Sequence, residues 1–223
     1  MSVIMVERKV LERNDAVAQE NRTLLQTNGV FSVNLLSSPG SGKTSLLEQT
    51  LPRLRHEFAI AVIEGDIQTD LDAKRIEALG VPTAQIITGG GCHLDANLVK
   101  KALATLPVEK LDLLFIENVG NLVCPAAYDL GENIKAVVIS VTEGEEKPLK
   151  YPAIFRNAAV CIVNKIDLLP FLNFSVERLK ENAHAVNPQL QIVLTSCTTG
   201  EGIDEWCNLL RTLRRKDPSS ASA

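Results

Sequence analysis

The run FSVNLLS at residues 31–37 opens directly into SSPGSGKT at residues 37–44, and a helical pattern follows. A short apolar strand that leads into a glycine-rich loop and then into a helix is the setting that a phosphate-binding loop requires. The loop begins with Ser37, where the usual pattern has glycine. Gly40 and Gly42 still allow the backbone to turn its N–H groups toward phosphate oxygens at the start of the helix. The stretch therefore predicts a P-loop nucleotide-binding fold.

The side chains that end this loop carry the predicted phosphate chemistry. Lys43 is expected to reach the β- and γ-phosphates, and the hydroxyl of Thr44 is expected to bind Mg²⁺. An ordinary strand-to-helix turn has no need of Gly-Lys-Thr at this offset, so a plain turn is a poor explanation of the pattern. The predicted phosphate-binding residues are Gly40, Ser41, Gly42, Lys43, Thr44 and Ser45.

Beyond the loop, short runs of β-branched and aliphatic residues alternate with helical stretches. This alternation is typical of parallel strands joined by right-handed helical crossovers. We therefore expect an α/β fold with a mostly parallel sheet flanked by helices. Before the first strand, apolar positions spaced along residues 5–28 and a terminating Asn28-Gly29 predict a leading amphipathic helix. The predicted strands read FSVNLLS, AIAVIEG, TAQIIT, LDLLFIEN, AVVISVT, VCIVNK and QIVLTS.

Composition narrows the class of protein. The chain has 223 residues, 45% of them hydrophobic and only 4% aromatic, which suits one aliphatic-rich parallel-sheet domain. Its net charge of −4 argues against a nucleic-acid partner. No apolar run is long enough to span a bilayer, and the N-terminus lacks the apolar centre of a signal peptide. Five irregularly spaced cysteines indicate reduced thiols. We expect a cytoplasmic protein without a membrane partner.

The strand VCIVNK ends in Asn164-Lys165-Ile166-Asp167, which resembles the NKxD segment of GTPases. The Asp167 carboxylate could accept hydrogen bonds from guanine N1–H and the exocyclic amine, whereas adenine N1 is itself an acceptor. GTP is therefore favoured over ATP. Ser196 and Cys197 lie where many GTPases make a backbone contact to the base, and both are included in the predicted nucleotide site. Burial as a small apolar side chain explains Cys197 better than metal binding does.

Carboxylates at two further strand ends are candidates for Mg²⁺ and for the attacking water. Glu117 begins a Glu-Asn-Val-Gly segment in which Gly120 could let the backbone approach the γ-phosphate. The Glu64-Gly65-Asp66 segment adds another carboxylate, and Asp66 is the candidate for binding Mg²⁺ or positioning water. Asp70 is a weaker candidate that could instead cap a helix. The predicted catalytic residues are Lys43, Thr44, Asp66 and Glu117, and those for Mg²⁺ are Thr44, Asp66 and Glu117.

A Cys92-His93 pair and a Cys124-Pro125 pair follow strands that end at the same side of the sheet as the phosphate loop. Two thiolates and one imidazole are a soft ligand set that suits Ni²⁺ or Zn²⁺, although three ligands do not close a tetrahedral shell. The spacing alone is explained better by a capped turn with a buried thiol, because there is no Cys-x-x-Cys pattern.

Longer segments of the sequence favour the metal site over the capped turn. GGGCHLDANLV, FIENVGNLVCPAAYDLGE, VTEGEEKPLKYP and NKIDLLPFLNF resemble the HypB family, a branch of the SIMIBI class of P-loop GTPases, and the resemblance covers nearly the whole chain past residue 30. It implies a GTPase that helps insert nickel into [NiFe] hydrogenase, and the lack of an obvious arginine finger within the chain predicts slow hydrolysis. The resemblance also implies that Cys92, His93 and Cys124 bind metal at the interface of a nucleotide- or metal-dependent homodimer, with the hydrogenase large subunit and a nickel-handling accessory protein as partners.

We expect a leading amphipathic helix at residues 1–30, a GTPase domain with a metal site at residues 31–214 and, because its sequence is small and polar, a flexible tail at residues 215–223. Residues 1–30 contain neither Cys nor His, unlike the metal-binding N-terminal segments of many family members, so tight nickel storage is not expected. Lys147 and Lys150 are candidates for reaching a phosphate across the dimer, with solvated lysines as the alternative, and no arginine finger is obvious within the chain.

Three other functions remain possible from the sequence. A urease-type, UreG-like nickel GTPase would share the core but differs in the segments quoted above. A small-molecule P-loop kinase would need an acceptor pocket and would transfer phosphate to something other than water. A metal-binding module that uses nucleotide only for stability would show no GTP turnover even with metal and partner proteins.

Overall fold

Seven parallel strands form the centre of the computed structural model, which describes residues 6–217. The order across the sheet is β3-β2-β4-β1-β5-β6-β7, so the strand that leads into the phosphate loop is central. Residues 1–5 and 218–223 lie outside the described part of the chain, and with them most of the predicted tail. The strands are β1 Phe31–Ser37, β2 Ile60–Asp66, β3 Thr83–Ile87, β4 Leu113–Glu117, β5 Ile134–Ser140, β6 Val160–Asn164 and β7 Gln191–Leu194.

Helices connect the strands and cover both faces of the sheet. The α-helices are α1 Val6–Thr27, α2 Lys43–Leu54, α3 Leu71–Glu77, α4 Ala96–Leu103, α5 Lys147–Lys150, α6 Pro152–Arg156, α7 Val176–Val186 and α8 Ile203–Lys216. Short 3-10 helices lie at Val108–Lys110, Cys124–Ala127 and Ile166–Phe171. The predicted α/β fold with a parallel sheet is confirmed, and within residues 6–217 no helix is long and apolar enough to cross a membrane.

The central strand is apolar along its whole length because it is covered on both faces. All seven residues of β1 are buried. Val33 and Leu35 pack in one core cluster with Trp206 of α8, while Leu36 packs in another with Phe155 of α6. This two-sided burial is typical of strands in parallel sheets and explains why the run could be found in the sequence.

The sheet brings polar side chains to one edge. The register pairs Glu64 of β2 with Glu117 of β4, and Leu35 of β1 with Glu117. Because all strands run in the same direction, the ends of β1, β2 and β4 open onto the same side as the phosphate loop. This edge is where open α/β sheets bind their ligands.

The leading helix is fixed to the domain at its end and along one side. Gly29 adopts a left-handed conformation with φ of 67°, and the N–H of Val30 donates to the carbonyl of Leu25 at 2.9 Å, which closes the helix. The buried amide of Asn21 donates to the carbonyls of Ala96 at 2.8 Å and Leu130 at 3.0 Å. α1 therefore packs beside α4.

Candidate functional site

The phosphate loop is held in a tight turn against the end of β6. Gly40 and Gly42 have φ values of 75° and 96°. A Cβ atom on Gly42 would lie 2.5 Å from Nδ2 of Asn164, so this position has no room for a side chain. The Lys43 ammonium donates to Oγ of Ser37 at 2.8 Å, across the mouth of the loop. The serine that departs from the usual pattern thus holds the lysine in place.

Buried carboxylates lie below this loop. Oγ1 of Thr44 donates to Oε1 of Glu117 at 2.8 Å, and the Lys43 ammonium is 3.9 Å from the same oxygen. Glu117 is 4% exposed and its strand neighbour Glu64 only 2%. Burial, and for Glu64 also the charge of Glu117, raises the pKa of both carboxyl groups above the ordinary value of 4.5. The pair therefore resists carrying two negative charges without a compensating cation.

The residues around these carboxylates fit a divalent cation. Oε1 of Glu64 and Oε2 of Glu117 are buried without a hydrogen-bond partner, and buried oxygens of this kind are the hard ligands that Mg²⁺ prefers. They line a cavity of about 470 Å³ together with Lys43, Thr44 and Asp66. The cavity is large enough to take the phosphates of a nucleotide and an ion.

Asp66 lines the same cavity, but its side chain is engaged by its own loop. Oδ1 accepts from the backbone N–H of Gln68 at 2.8 Å and of Thr69 at 2.7 Å. Partial burial would raise the pKa of Asp66, but these hydrogen bonds outweigh it and lower the pKa. Asp70, the weaker candidate, is the N-cap residue of α3 and pairs with Lys74 at 2.9 Å.

The predicted base-binding residues form a connected group beside the loop. Nδ2 of Asn164 donates to the carbonyl of Ser41 at 3.0 Å, and Oδ1 accepts from the N–H of Cys197 at 3.3 Å. The Lys165 ammonium donates to the carbonyl of Gly40 at 2.7 Å. Ser196 donates its hydroxyl proton to Asp167, with Oγ and Oδ1 separated by 2.5 Å. The carboxylate is thus oriented before any base arrives.

The Cys-His-Cys set converges on one point. One ligand atom each from Cys92, His93 and Cys124 all lie within 4.8 Å of one another, a geometry that could hold a single metal ion. Sγ of Cys92 is 3.6 Å from Nδ1 of His93, whose ring packs on Tyr128 at a centroid distance of 4.0 Å. The neighbouring Cys124 thiol and desolvation raise the pKa of Cys92, while burial lowers the pKa of His93. Metal binding must therefore release a thiol proton but finds a neutral imidazole.

Comparison with known proteins gives the same assignment for the chain. Residues 32–194 match the family model described as CobW/HypB/UreG, nucleotide-binding domain. The chain is 53% identical over 212 residues to hydrogenase maturation factor HypB of Escherichia coli strain K12, an alignment that covers 95% of this chain and 73% of that protein. The chain belongs to the HypB family. The family resemblance predicted from the quoted segments is confirmed.

Solved HypB structures have the same fold. The crystal structure of HypB from Archaeoglobus fulgidus superposes with a TM-score of 0.85 at 39% identity, covering 92% of this chain and all of that one. The structure of HypB from Helicobacter pylori in complex with nickel gives a TM-score of 0.88 at 39% identity, covering 92% and 96% of the two chains. The SIMIBI-class P-loop architecture and a nucleotide-binding role for this HypB-family chain follow.

Glu64 and Arg75 lie near the nucleotide cavity of this HypB-family chain but were not predicted from the sequence to take part in it, and Lys147 was predicted only to reach a phosphate across a dimer. Glu64 was noted only as a further carboxylate. Arg75 lines the cavity, within 2.6 Å of Glu48 and 3.3 Å of Oγ of Ser45. In the sequence, Arg75 resembles an exposed arginine of a helix that pairs with Asp72. Nothing in the sequence therefore indicated that it lines the nucleotide cavity. Lys147 lies 3.1 Å from Oγ of Ser38 in the phosphate loop of its own chain.

Proposed function

We propose that this HypB-family chain is a GTP-hydrolysing metallochaperone that assists nickel insertion into [NiFe] hydrogenase. One observation carries the proposal: the segment from Glu117 to Cys124 begins with a buried carboxylate of the nucleotide cavity and ends with a thiol of the Cys-His-Cys set. A ligand-induced shift at one end of so short a segment must move or strain the other end. The names of the E. coli relative and of the nickel-bound H. pylori structure support nickel and hydrogenase as the setting.

The proposed reaction is attack of water on the γ-phosphorus of GTP to give GDP and phosphate. Bound Mg²⁺ would neutralise charge on the β- and γ-phosphates. The Lys43 ammonium, now held by Ser37, is placed to move onto the phosphates, while Thr44 and Glu117 hold the cation site. Asp66 would orient the attacking water. Turnover is expected to be slow, because Arg75 is paired with Glu48 and Asp72 and does not point freely at the phosphates.

The proposed cargo is Ni²⁺, with Zn²⁺ as a competing ion of similar ligand preference. Cys92, His93 and Cys124 supply three donors, and a second copy related by a two-fold axis would supply the missing ones. We propose a homodimer that depends on nucleotide or metal, and transfer to the hydrogenase large subunit with a nickel-handling accessory protein. The proposed location is the cytoplasm.

The proposed GTPase domain with its metal site is residues 31–214, with the leading helix within residues 1–30 as an attached element and residues 215–223 as a tail. The division follows the phosphate loop and the metal ligands, all of which lie between Phe31 and Arg214. α8 extends to Lys216, slightly beyond this boundary.

The test is a titration of the purified protein with Ni²⁺ and with Zn²⁺, in GDP and in a nonhydrolysable GTP analogue, with light scattering to follow oligomeric state. We expect the protein to dimerise more tightly in one nucleotide state than in the other. Metal binding is expected to be lost in the Cys92→Ala, Cys124→Ala variant. Cys207→Ala is the matched control, because Cys207 of α8 is buried in a core cluster with leucines of α2. Metal affinity that ignores both nucleotide and the double variant would contradict the proposal.

A further inference from the structure

Leu94, the residue after the proposed metal ligand His93, contacts the ends of both β2 and β4 at the nucleotide cavity. Leu94 is fully buried. A Cβ atom built on Gly65 would lie 2.8 Å from Cδ1 of Leu94, so the leucine rests directly on the backbone between Glu64 and Asp66. Any displacement of the end of β2 therefore pushes on the residue that adjoins the metal ligands.

The second hold on Leu94 comes from the residue after Glu117. Oδ1 of Asn118 accepts from the N–H of Leu94 at 3.1 Å and from its neighbour Val119 at 3.0 Å. The amide end, Nδ2, donates to Oδ1 of Asn34 in β1 at 3.3 Å. Asn118 is 1% exposed, so these hydrogen bonds have no competition from water. Its carboxamide connects the central strand with the backbone of the metal loop.

A third contact lies three residues further along. Nδ2 of Asn121 donates to the carbonyl of Cys92 at 3.3 Å, while Oδ1 accepts from the N–H of Val123 at 2.8 Å. Between the two asparagines, Gly120 fits closely against the phosphate loop, because a Cβ there would lie 3.1 Å from Cα of Pro39. The segment 118–121 thus touches the phosphate loop on one side and the Cys92-His93 loop at two points on the other.

We propose that Asn118 is the positioning residue that couples the nucleotide state to the Cys92-His93 loop, with Asn121 as a second and weaker link. The inference rests on the proposed function and names its route of regulation. The side-chain hydrogen bonds of Asn118 go to Asn34 and to the backbone of Leu94 and Val119, so Asn118 acts on the metal loop through the backbone of Leu94. A shift of the strand end at Glu117 is transmitted by the carboxamide to the residue next to His93. Without the carboxamide, the metal loop and the phosphate loop respond to their ligands independently.

The ratio of the Ni²⁺ dissociation constants in the two nucleotide states separates a coupling role of Asn118 from a merely structural one. Coupling between two ligands is the factor by which one changes the affinity for the other, and it is the same in both directions. In the wild type, the Ni²⁺ dissociation constants in GDP and in the nonhydrolysable GTP analogue are expected to differ by at least about 5-fold. In Asn118→Ala the ratio falls to about 1, and Ni²⁺ equally loses its effect on nucleotide affinity.

The experiment measures Ni²⁺ binding calorimetrically in both nucleotides for the full chain, Asn118→Ala, Asn121→Ala and a control. Asn187→Ala is the control, because Asn187 also donates to backbone carbonyls, at 2.9 Å to Ala158, but lies at the end of α7. The control is expected to keep the wild-type ratio. Asn121→Ala is expected to lower the ratio part of the way, and it decides the matter if Asn118→Ala does not fold.

Two results would overturn the inference alone: a wild-type ratio in Asn118→Ala, or equal loss of Ni²⁺ affinity in both nucleotide states, which is a structural effect. If Asn118→Ala does not fold, an unchanged ratio in Asn121→Ala overturns it in the same way. A wild-type ratio of about 1 is a different failure, because it removes the nucleotide gating in the proposed function and the coupling role with it.

Discussion

The proposed base-binding side and the carboxylate side of the nucleotide site differ in how well their polar groups are satisfied. Beside the loop, Asn164, Lys165 and Asp167 each have a hydrogen-bond partner, and the partners include the phosphate loop itself. Below the loop, Glu64 and Glu117 each bury an oxygen that has none. The side chains of the first side are held in place, so a base would bind there with little rearrangement. The second side keeps buried oxygens that a bound cation would satisfy, and we therefore propose it as the side on which nucleotide state changes the structure.

The largest expected effect is a fall in GTP affinity when Asp167, on the proposed base-binding side, is replaced. Asp167→Asn replaces one acceptor oxygen by an amide NH₂ group, so guanine loses one hydrogen bond and the charge assistance of the other, and a hydrogen bond to a charged group is worth about 1.5–3 kcal/mol. GTP affinity is expected to fall by at least about 100-fold. Xanthosine triphosphate, which carries a carbonyl where guanine has its amine, should bind the variant better than GTP does. Equilibrium binding of both nucleotides measures this.

Asp204→Asn is the matched control for this substitution. Asp204 lies on α8, where its side chain is 84% exposed and pairs with Arg53 at 3.0 Å. It should keep wild-type GTP affinity. An Asp167→Asn variant that bound GTP as tightly as the control would show that the NKID segment does not recognise the base. The proposal that this side of the site is prearranged for the base would then be wrong.

The carboxylate side is tested by Glu64→Gln and the pH dependence of stability without nucleotide or metal. Burial raises the pKa of Glu64 in the folded state above its ordinary value of 4.5, so the folded protein holds a proton that the unfolded chain has released. This stabilisation is complete below the unfolded value and is lost as pH rises. A one-proton difference corresponds to about 1.4 kcal/mol per pH unit. Between pH 6 and 8 the free energy of unfolding should fall more steeply in wild type than in Glu64→Gln.

Glu143→Gln provides the contrast, measured by the same denaturant titrations. Burial would raise the pKa of Glu143, but hydrogen bonds from Ser38, Ser41 and the backbone of Ser140 outweigh it and lower the pKa. Its contribution is present above the unfolded value and lost in acid. Glu143→Gln should therefore lower stability at neutral pH without changing the slope between pH 6 and 8. Equal slopes in wild type and Glu64→Gln would mean that Glu64 is ionised in the folded protein.

The difference between the two sides also explains what could be predicted from the sequence. The strands, the phosphate loop and the NKID segment were found because each has a local signature in residue type and spacing. Glu64 had no such signature, since its role depends on the register that sets it beside Glu117 in another strand. The convergence of Cys92 and Cys124 likewise depends on loops from different strands. Its prediction needed the family resemblance, because spacing alone favoured a buried thiol.

The smallest expected effect comes from Ser196→Ala, which tests whether orienting Asp167 before binding contributes to GTP affinity. Ser196 is fully buried, donates to Asp167 and accepts from the N–H of Thr199 at 3.1 Å. Ser196→Ala leaves the carboxylate in place but free to rotate, and a lost hydrogen bond of this kind is worth about 1–2 kcal/mol. GTP affinity should fall by about 5- to 30-fold, well short of the Asp167→Asn effect.

Ser32→Ala is the control for Ser196→Ala, since Ser32 is equally buried and bonds to Asn133 at the opposite end of the sheet. Both variants should lose a similar amount of stability in denaturant titrations, because each removes one buried hydroxyl. Only Ser196→Ala should also lose GTP affinity. If the two variants bound GTP equally well, the hydroxyl would contribute to the fold alone. Orientation of Asp167 before binding would then add nothing to recognition, and the base-binding side would owe its affinity to the hydrogen bonds made with the base itself.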